Sequence, residues 1–237
     1  MLLGTYPPRL PVRALVSAGQ LFGLSEGACR TALSRLVSSG DLVADSGWYE
    51  LAGPLLDRQY RQDVGREGNQ LEWDGSWRLM VVVAGKRTAA ERVDSRAVLG
   101  EQRYSEMREG VWVRPANLPS DAEVTHLVSE GWQSGTIVFD QQPDVHQLWP
   151  LAEWHDRAEG LRTALGELLP PLENGDRSHL ARGFVIAAAV LRHFRADPLL
   201  PPALLPDGWS GPHLRRDYDR FDEAYRRVLQ EFFRDHR

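Results

Sequence analysis

The sequence predicts an α+β fold in three parts: a winged helix-turn-helix over residues 1–53, a central ferredoxin-like α/β domain over 73–146 reached through a linker (54–72), and a helical C-terminal domain over 147–237. Three observations predict it. Two helical patterns separated by a glycine break lead straight into a hairpin pattern near the N-terminus. In the middle of the chain a strand, a helix and further short strands follow one another in the order expected of a ferredoxin-like sandwich. From Trp154 onward apolar residues recur at spacings of three and four, the signature of amphipathic helices.

Leu10-Pro11 opens the first helix, with proline suited to a first helical position and Val12, Leu15, Val16 and Phe22 as its apolar stripe. Gly23 breaks it. Ser25 is a good N-cap for a second helix that runs to about Ser38, and Gly40 ends that helix. Leu42-Val43-Ala44, the turn Asp45-Ser46-Gly47 and Trp48-Tyr49-Glu50-Leu51 read as a β-hairpin.

Gly53-Pro54 marks a break, and the polar stretch Arg58–Gln70 reads as a linker or a short exposed helix. Leu79–Ala84 is an unbroken apolar run, as expected of a strand buried on both faces. A helix is expected from Thr88 to about Met107. Strands are expected at Val111–Val113, stopped by Pro115, and at Thr125–Ser129 and Thr136–Phe139. The remainder is helical. Trp154, Ala158, Leu161, Leu165 and Leu168 mark one helix, Leu180 to Phe194 a more buried one, and Leu214 to Phe232 the last; the Pro-rich stretch Asp197–Gly211 is a loop.

Composition excludes several classes. A net charge of −5 rules out a wholly basic nucleic-acid coat protein. Residues 1–40 nevertheless hold four arginines (Arg9, Arg13, Arg30, Arg35) against Glu26 alone. The single cysteine, Cys29, provides no disulfide framework and fits a reducing cytoplasm. The longest apolar run, Phe184–Leu191, is far shorter than the roughly 18 residues of a membrane span, and the N-terminus lacks the charged and apolar regions of a signal peptide.

Catalytic patterns are missing too. A metal-dependent nuclease on a ferredoxin-like fold needs a carboxylate at the end of its first strand, which here reads Val82-Val83-Ala84-Gly85. His126, His146, His155, His179, His193, His213 and His236 are scattered without metal-ligand spacing. No G-x-S-x-G elbow is present. No cofactor is expected, and Cys29 reads as a small core residue. Trp73, Trp77, Trp112, Trp132, Trp149 and Trp154 read either as core or as the lining of an aromatic ligand pocket; Arg192 and Arg195 are candidates for an anionic ligand or for plain helix-end electrostatics.

The informative segment is the second helix. Cys29, Ala32, Leu33, Leu36 and Val37 fall on one face; Gly27, Arg30, Thr31, Ser34 and Ser38 fall on or near the other, with Arg35 at its edge. That outer face is small, hydroxylated and positive. Small residues let a helix enter the major groove, arginine bonds guanine bidentately, and hydroxyls reach phosphates or base edges. Ser25, Arg30, Thr31, Ser34, Arg35 and Ser38 are therefore the candidate DNA-binding residues; the competing reading is a solvated face with incidental arginines.

The run Leu24-Ser25-Glu26 through Arg30-Thr31-Ala32-Leu33-Ser34-Arg35-Leu36-Val37 resembles the recognition helix of the PaaX family, repressors of phenylacetate catabolism. Further blocks match in the same order: Trp73-Asp74-Gly75-Ser76-Trp77, Gly110-Val111-Trp112-Val113-Arg114-Pro115, and Asp197-Pro198-Leu199-Leu200-Pro201 with Leu204-Leu205-Pro206 and Trp209-Ser210-Gly211. The resemblance implies a cytoplasmic, homodimeric repressor of a catabolic operon. It would bind a double-stranded DNA operator and be released by an acyl-CoA effector such as phenylacetyl-CoA. It departs from the family pattern where only Met1–Thr5 precede Tyr6-Pro7-Pro8, and at Arg103–Met107, which lacks a Gly-Phe-Gly-like turn. The alternative class is a CoA-thioester-binding or nucleic-acid-processing enzyme that carries a winged helix.

Overall fold

A computed structural model of the chain describes residues 5–83, 88–119 and 131–235. The protein is α+β, with two small antiparallel sheets among many helices. It divides into two compact units. The first comprises residues 1–66, 157–194 and 210–237, and the second residues 67–156 and 195–209.

The first unit begins with β1 (Arg9–Pro11), α1 (Val12–Gln20), α2 (Glu26–Ser38), β2 (Leu42–Asp45) and β3 (Trp48–Leu51). Pro11 is the N-cap of α1 and not its first helical residue, because Arg9–Pro11 are drawn into the sheet opposite Trp48–Glu50. The sheet order is β1-β3-β2, all antiparallel. Ser46 and Gly47 join β2 to β3, with φ of 48° and 83°. That pair of positive φ values matches the right-handed twist of the flanking strands, which is why two-residue hairpin turns favour it. Leu33, Leu42 and Leu51 form the local core, with Leu10, Val12, Leu15, Leu36, Val37, Tyr49 and Leu55 packed on it.

The stretch expected to be a linker or short exposed helix is the fifteen-residue helix α3 (Gly53–Glu67). Its apolar residues point the wrong way for sequence periodicity to find it: Gln59, Gln62 and Gly65 are buried, while Leu56, Tyr60 and Val64 are exposed.

The second unit carries β4 (Trp77–Val82), α4 (Ala89–Glu101), β5 (Ser105–Arg108), β6 (Val111–Pro115) and β7 (Trp132–Ile137). Its sheet order is β5-β6-β4-β7, antiparallel throughout. Met80, Leu99, Tyr104, Trp112 and Trp132 make its core. β4 is central, but Leu79 and Val81 are only half-buried. The apolar run therefore marks a middle strand and not one sealed on both faces, since an antiparallel sheet can leave one face wet.

α4 stops at Glu101, six residues short of the expected end. Arg103 adopts φ 65°, the Arg103 N–H bonds the Gly100 carbonyl at 3.0 Å, and the Tyr104 N–H bonds the Leu99 carbonyl at 2.9 Å. That is a Schellman stop, normally signalled by glycine in the left-handed position. Here an arginine occupies it, and Ser105–Arg108 continue as strand. The strand expected at Thr125–Ser129 lies outside the described residues.

α5 (Val145–Leu148) is followed by α6 (Leu151–Glu173), α7 (Leu180–Arg195) and α8 (Gly211–Arg234). In the first unit Leu165, Leu168 and Leu172 of α6, Leu180, Val190 and Phe194 of α7, and Leu214, Phe221 and Val228 of α8 are all buried. Gly183 lets α7 approach Tyr225 of α8, whose ring would lie 2.9 Å from an added Cβ.

Candidate nucleic-acid interface

α1 and α2 pack closely because Gly19 lacks a side chain: a Cβ there would lie 2.2 Å from the Cys29 Sγ. Ser25 caps α2, its Oγ accepting the Ala28 N–H at 3.2 Å. This satisfies one of the amide donors left over at a helix start. Cys29 and Leu33 are buried and Leu36 and Val37 half-buried, so the inner face of α2 is fixed.

All six candidate residues are exposed: Ser25, Arg30, Thr31, Ser34, Arg35 and Ser38. Positions 30, 31, 34, 35 and 38 share one side of the helix by its 3.6-residue period. Ala32, expected on the inner face, is exposed as well; it sits at the edge of the apolar stripe, where a methyl group is too short to reach the core. Gly27 faces open space, with nothing within 4 Å of an added Cβ. The outer face therefore presents small residues at its start and two arginines further on.

The two arginines differ electrostatically. Arg30 Nε donates to Glu26 Oε1 at 2.8 Å, an i,i+4 pair with both side chains more than half exposed. Such a pair is weak and exchangeable. Arg35 forms no ion pair among the described residues, nor does the exposed Arg13 of α1. Ser38 Oγ donates back to the Ser34 carbonyl at 3.0 Å, and the Ser34 hydroxyl points from the same outer face.

The β2–β3 hairpin adds a feature that residue counting did not single out. Arg9 Nη2 pairs with Asp45 Oδ2 at 3.1 Å, and its guanidinium lies 5.3 Å from the centre of the exposed Trp48 ring. The arginine excess of residues 1–40 was the available signal for Arg9 and Arg13; no local pattern marks Trp48. Among the described residues no group of three or more His, Cys, Asp or Glu is gathered for a metal ion, and no helix is long and apolar enough to cross a membrane.

Comparison with known proteins bears on the whole chain. Residues 2–54 match the family described as PaaX-like protein, and residues 149–235 match the PaaX-like protein C-terminal domain. The transcriptional repressor PaaX of Escherichia coli (strain K12) is 26% identical over 216 residues, which span 82% of this chain and 67% of that protein. An uncharacterized protein of Mycobacterium tuberculosis, Rv0674, has a similar solved structure. Its TM-score is 0.77 at 33% identity, covering 97% of this chain and 94% of that one. With both family regions matched in order and similarity running through the segment between them, the chain belongs to the PaaX family.

Proposed function

We propose that this protein is a transcriptional repressor that binds double-stranded DNA as a homodimer. In this reading β1 to β3 with α1 and α2 form a winged helix-turn-helix, α2 enters the major groove, and the hairpin is the wing. The observation that carries the reading is the outer face of α2: five exposed polar side chains, Arg30, Thr31, Ser34, Arg35 and Ser38, opposite the buried Cys29 and Leu33, with the exposed N-cap Ser25 at its start. Ser25 fits a phosphate contact, because its Oγ accepts within the cap and its hydroxyl hydrogen remains to donate. Arg35, without an ion-pair partner among the described residues, fits direct contact with a base or phosphate. Arg30 would exchange Glu26 for DNA.

The strand order and directions of the second unit agree with a ferredoxin-like sheet. A single helix reads few base pairs, so two copies on a two-fold axis are needed for useful specificity. The relative named a transcriptional repressor supports regulation over catalysis. An acyl-CoA such as phenylacetyl-CoA is the effector implied by family resemblance. It must bind the DNA-free conformation more tightly in order to release the operator.

A mobility shift on the DNA upstream of the protein's own gene, with wild type and Arg35→Ala at two salt concentrations, tests the reading. If Arg35 reads a base, specific binding falls by about 1–3 kcal/mol per half-site while binding to random DNA barely changes. If it meets phosphate only, both weaken and the salt slope drops by about one per contact. Wild-type affinity of Arg35→Ala for both DNAs, with native melting, removes α2 as the reader.

A further inference from the structure

The second unit carries a cleft of about 260 Å³, open to solvent on one side and bounded by the end of α4, the β5–β6 hairpin, α5 and residues 195–198. Tyr104, Trp112, Leu148 and Trp149 supply apolar walls, and Arg103 and Arg195 supply guanidinium groups. The aromatic walls are rigid: Tyr104, Trp112 and Trp149 are each less than a tenth exposed, and Trp149 stacks on Trp77 with ring centres 6.4 Å apart.

The acidic groups at the cavity are already engaged. Glu106 pairs with Arg96 at 2.8 Å and accepts the Gly110 N–H at 3.3 Å, and Asp197 accepts the Leu199 N–H at 3.0 Å. Arg195 is bonded through Nη2 to Glu101 at 2.6 Å. Both members of that pair are more than a third exposed, so the tie is weak. A guanidinium has five N–H donors, and this bond engages one nitrogen. The backbone around the cavity is also unusual. Of the three non-glycine residues with positive φ among the described residues, Ser46 serves the hairpin turn; Arg103 (φ 65°) lines the cavity and Leu199 (φ 51°) follows its Pro198. At Arg103 that conformation is the stop of α4, and it sets this arginine at the edge of the cavity.

We propose that this cavity is a binding site for a small organic acid. Its flat apolar body would lie against Tyr104, Trp112 and Trp149, with its carboxylate on Arg195 and Arg103. Aromatic walls suit such a body, and a guanidinium meets a carboxylate in a bidentate fork. The volume falls just below the roughly 300–1,000 Å³ of sites for drug-sized ligands. It admits one ring with a short acid group and leaves the nucleotide of a coenzyme A thioester outside. Binding in the cavity stands on this geometry alone; only its consequence, control of DNA affinity, rests on the regulator reading.

Titration calorimetry of the full chain with benzoate, benzamide and benzoyl-coenzyme A tests the proposal, using Arg195→Gln and Gly100→Leu. Gly100 borders the cavity, and nothing lies within 4 Å of a Cβ built there, so a leucine obstructs the cavity without striking the core. Benzoate should bind wild type at least about tenfold tighter than benzamide, and each variant should lose at least about tenfold, or 1.4 kcal/mol. If Arg195→Gln fails to fold, Gly100→Leu carries the test. Benzoyl-coenzyme A carries no carboxylate on its ring and should compete no better than benzamide; competition as strong as that of benzoate itself overturns carboxylate recognition by Arg195 and Arg103. No benzoate binding to wild type, or wild-type binding by both variants, overturns it. A parallel mobility shift separates the two readings. DNA binding without benzoate binding removes the cavity site alone; benzoate binding without DNA binding removes the regulator alone.

Discussion

At Gly19 one absent methyl group sets how closely α1 and α2 approach. An alanine Cβ would stand 2.2 Å from the Cys29 Sγ, whereas the next neighbours, the Cβ atoms of Cys29 and Leu24, lie at an ordinary 3.7 Å. Gly19→Ala should therefore destabilise the protein by about 1–3 kcal/mol, the usual cost of overpacking. Cys29→Ala removes the one clashing atom, so the double variant should be more stable than the sum of the single effects predicts. A urea-unfolding double-mutant cycle measures the coupling; strict additivity would show that the helices relax apart freely. The sequence displays Cys29 as a small core residue by its place on the α2 stripe. It shows nothing of Gly19, because the reason for that glycine sits ten residues away. The outward set Arg30, Thr31, Ser34, Arg35 and Ser38 was legible for the opposite reason: the helical period alone assigns their side. Their difference in pairing has a sequence origin too: Glu26 stands four residues before Arg30, and no carboxylate stands three or four residues from Arg35.

α3 is the element that sequence periodicity misjudges most. Past Leu55, which packs on the Leu33, Leu42 and Leu51 core, its buried residues are Gln59, Gln62 and Gly65, so it needs specific partners where other helices need only apolar area. Arg66 supplies them. Its Nη1 donates to Asp222 at 2.7 Å, its Nε and Nη2 to Asp219 at 3.0 and 2.8 Å, and its guanidinium lies 5.1 Å from the Tyr218 ring centre. The two carboxylates differ in setting. The Asp222 side chain is 10% exposed and also accepts Arg226 Nε at 2.8 Å, while the Asp219 side chain is 59% exposed. Asp222→Ala should cost about 1–3 kcal/mol, because it strands charge-assisted donors in a half-buried place. Asp219→Ala should cost less than about 1 kcal/mol, as a surface pair does. Denaturant midpoints at constant slope compare them; equal costs would contradict the ranking by burial. Tyr218 shows the same burial, its phenol pushed well above the ordinary tyrosine value by desolvation and by the Asp222 charge. The early stop of α4 has a related origin. Arg103 takes a left-handed conformation that glycine normally signals, so the Thr88 capping box announces where the helix starts and no residue announces where it ends.

On the scale of the whole chain, the first unit is assembled from three separate segments, and no periodic signal reports which distant segments will share a core. Reading along the sequence yields successive parts; the fold instead returns α8 to the end of α3. Arg215 of α8 donates to the Gly65 carbonyl at 3.3 Å and to the Arg66 carbonyl at 3.2 Å. These lie among the last carbonyls of α3, which have no partners within their own helix. Asp219 and Asp222 of α8 hold the Arg66 side chain beside them. By contrast, α2 and the β2–β3 hairpin have a core of their own around Leu33, Leu42 and Leu51. A fragment ending at residue 67 keeps that core and loses every partner that α8 gives α3. Isolated helices of about 12–15 residues are marginal in water, and past Leu55 this one exposes Leu56, Tyr60 and Val64 and buries only Gln59, Gln62 and Gly65 in return. Amide hydrogen exchange on the fragment should therefore show α3 unprotected from about Gln59 onward. The amides of Leu42–Asp45 and of the centre of α2 should retain measurable protection. Full-chain protection of α3 in the fragment would show that α8 is dispensable to it. Loss of protection throughout would show that the reading helix and its hairpin depend on the C-terminal helices to fold at all.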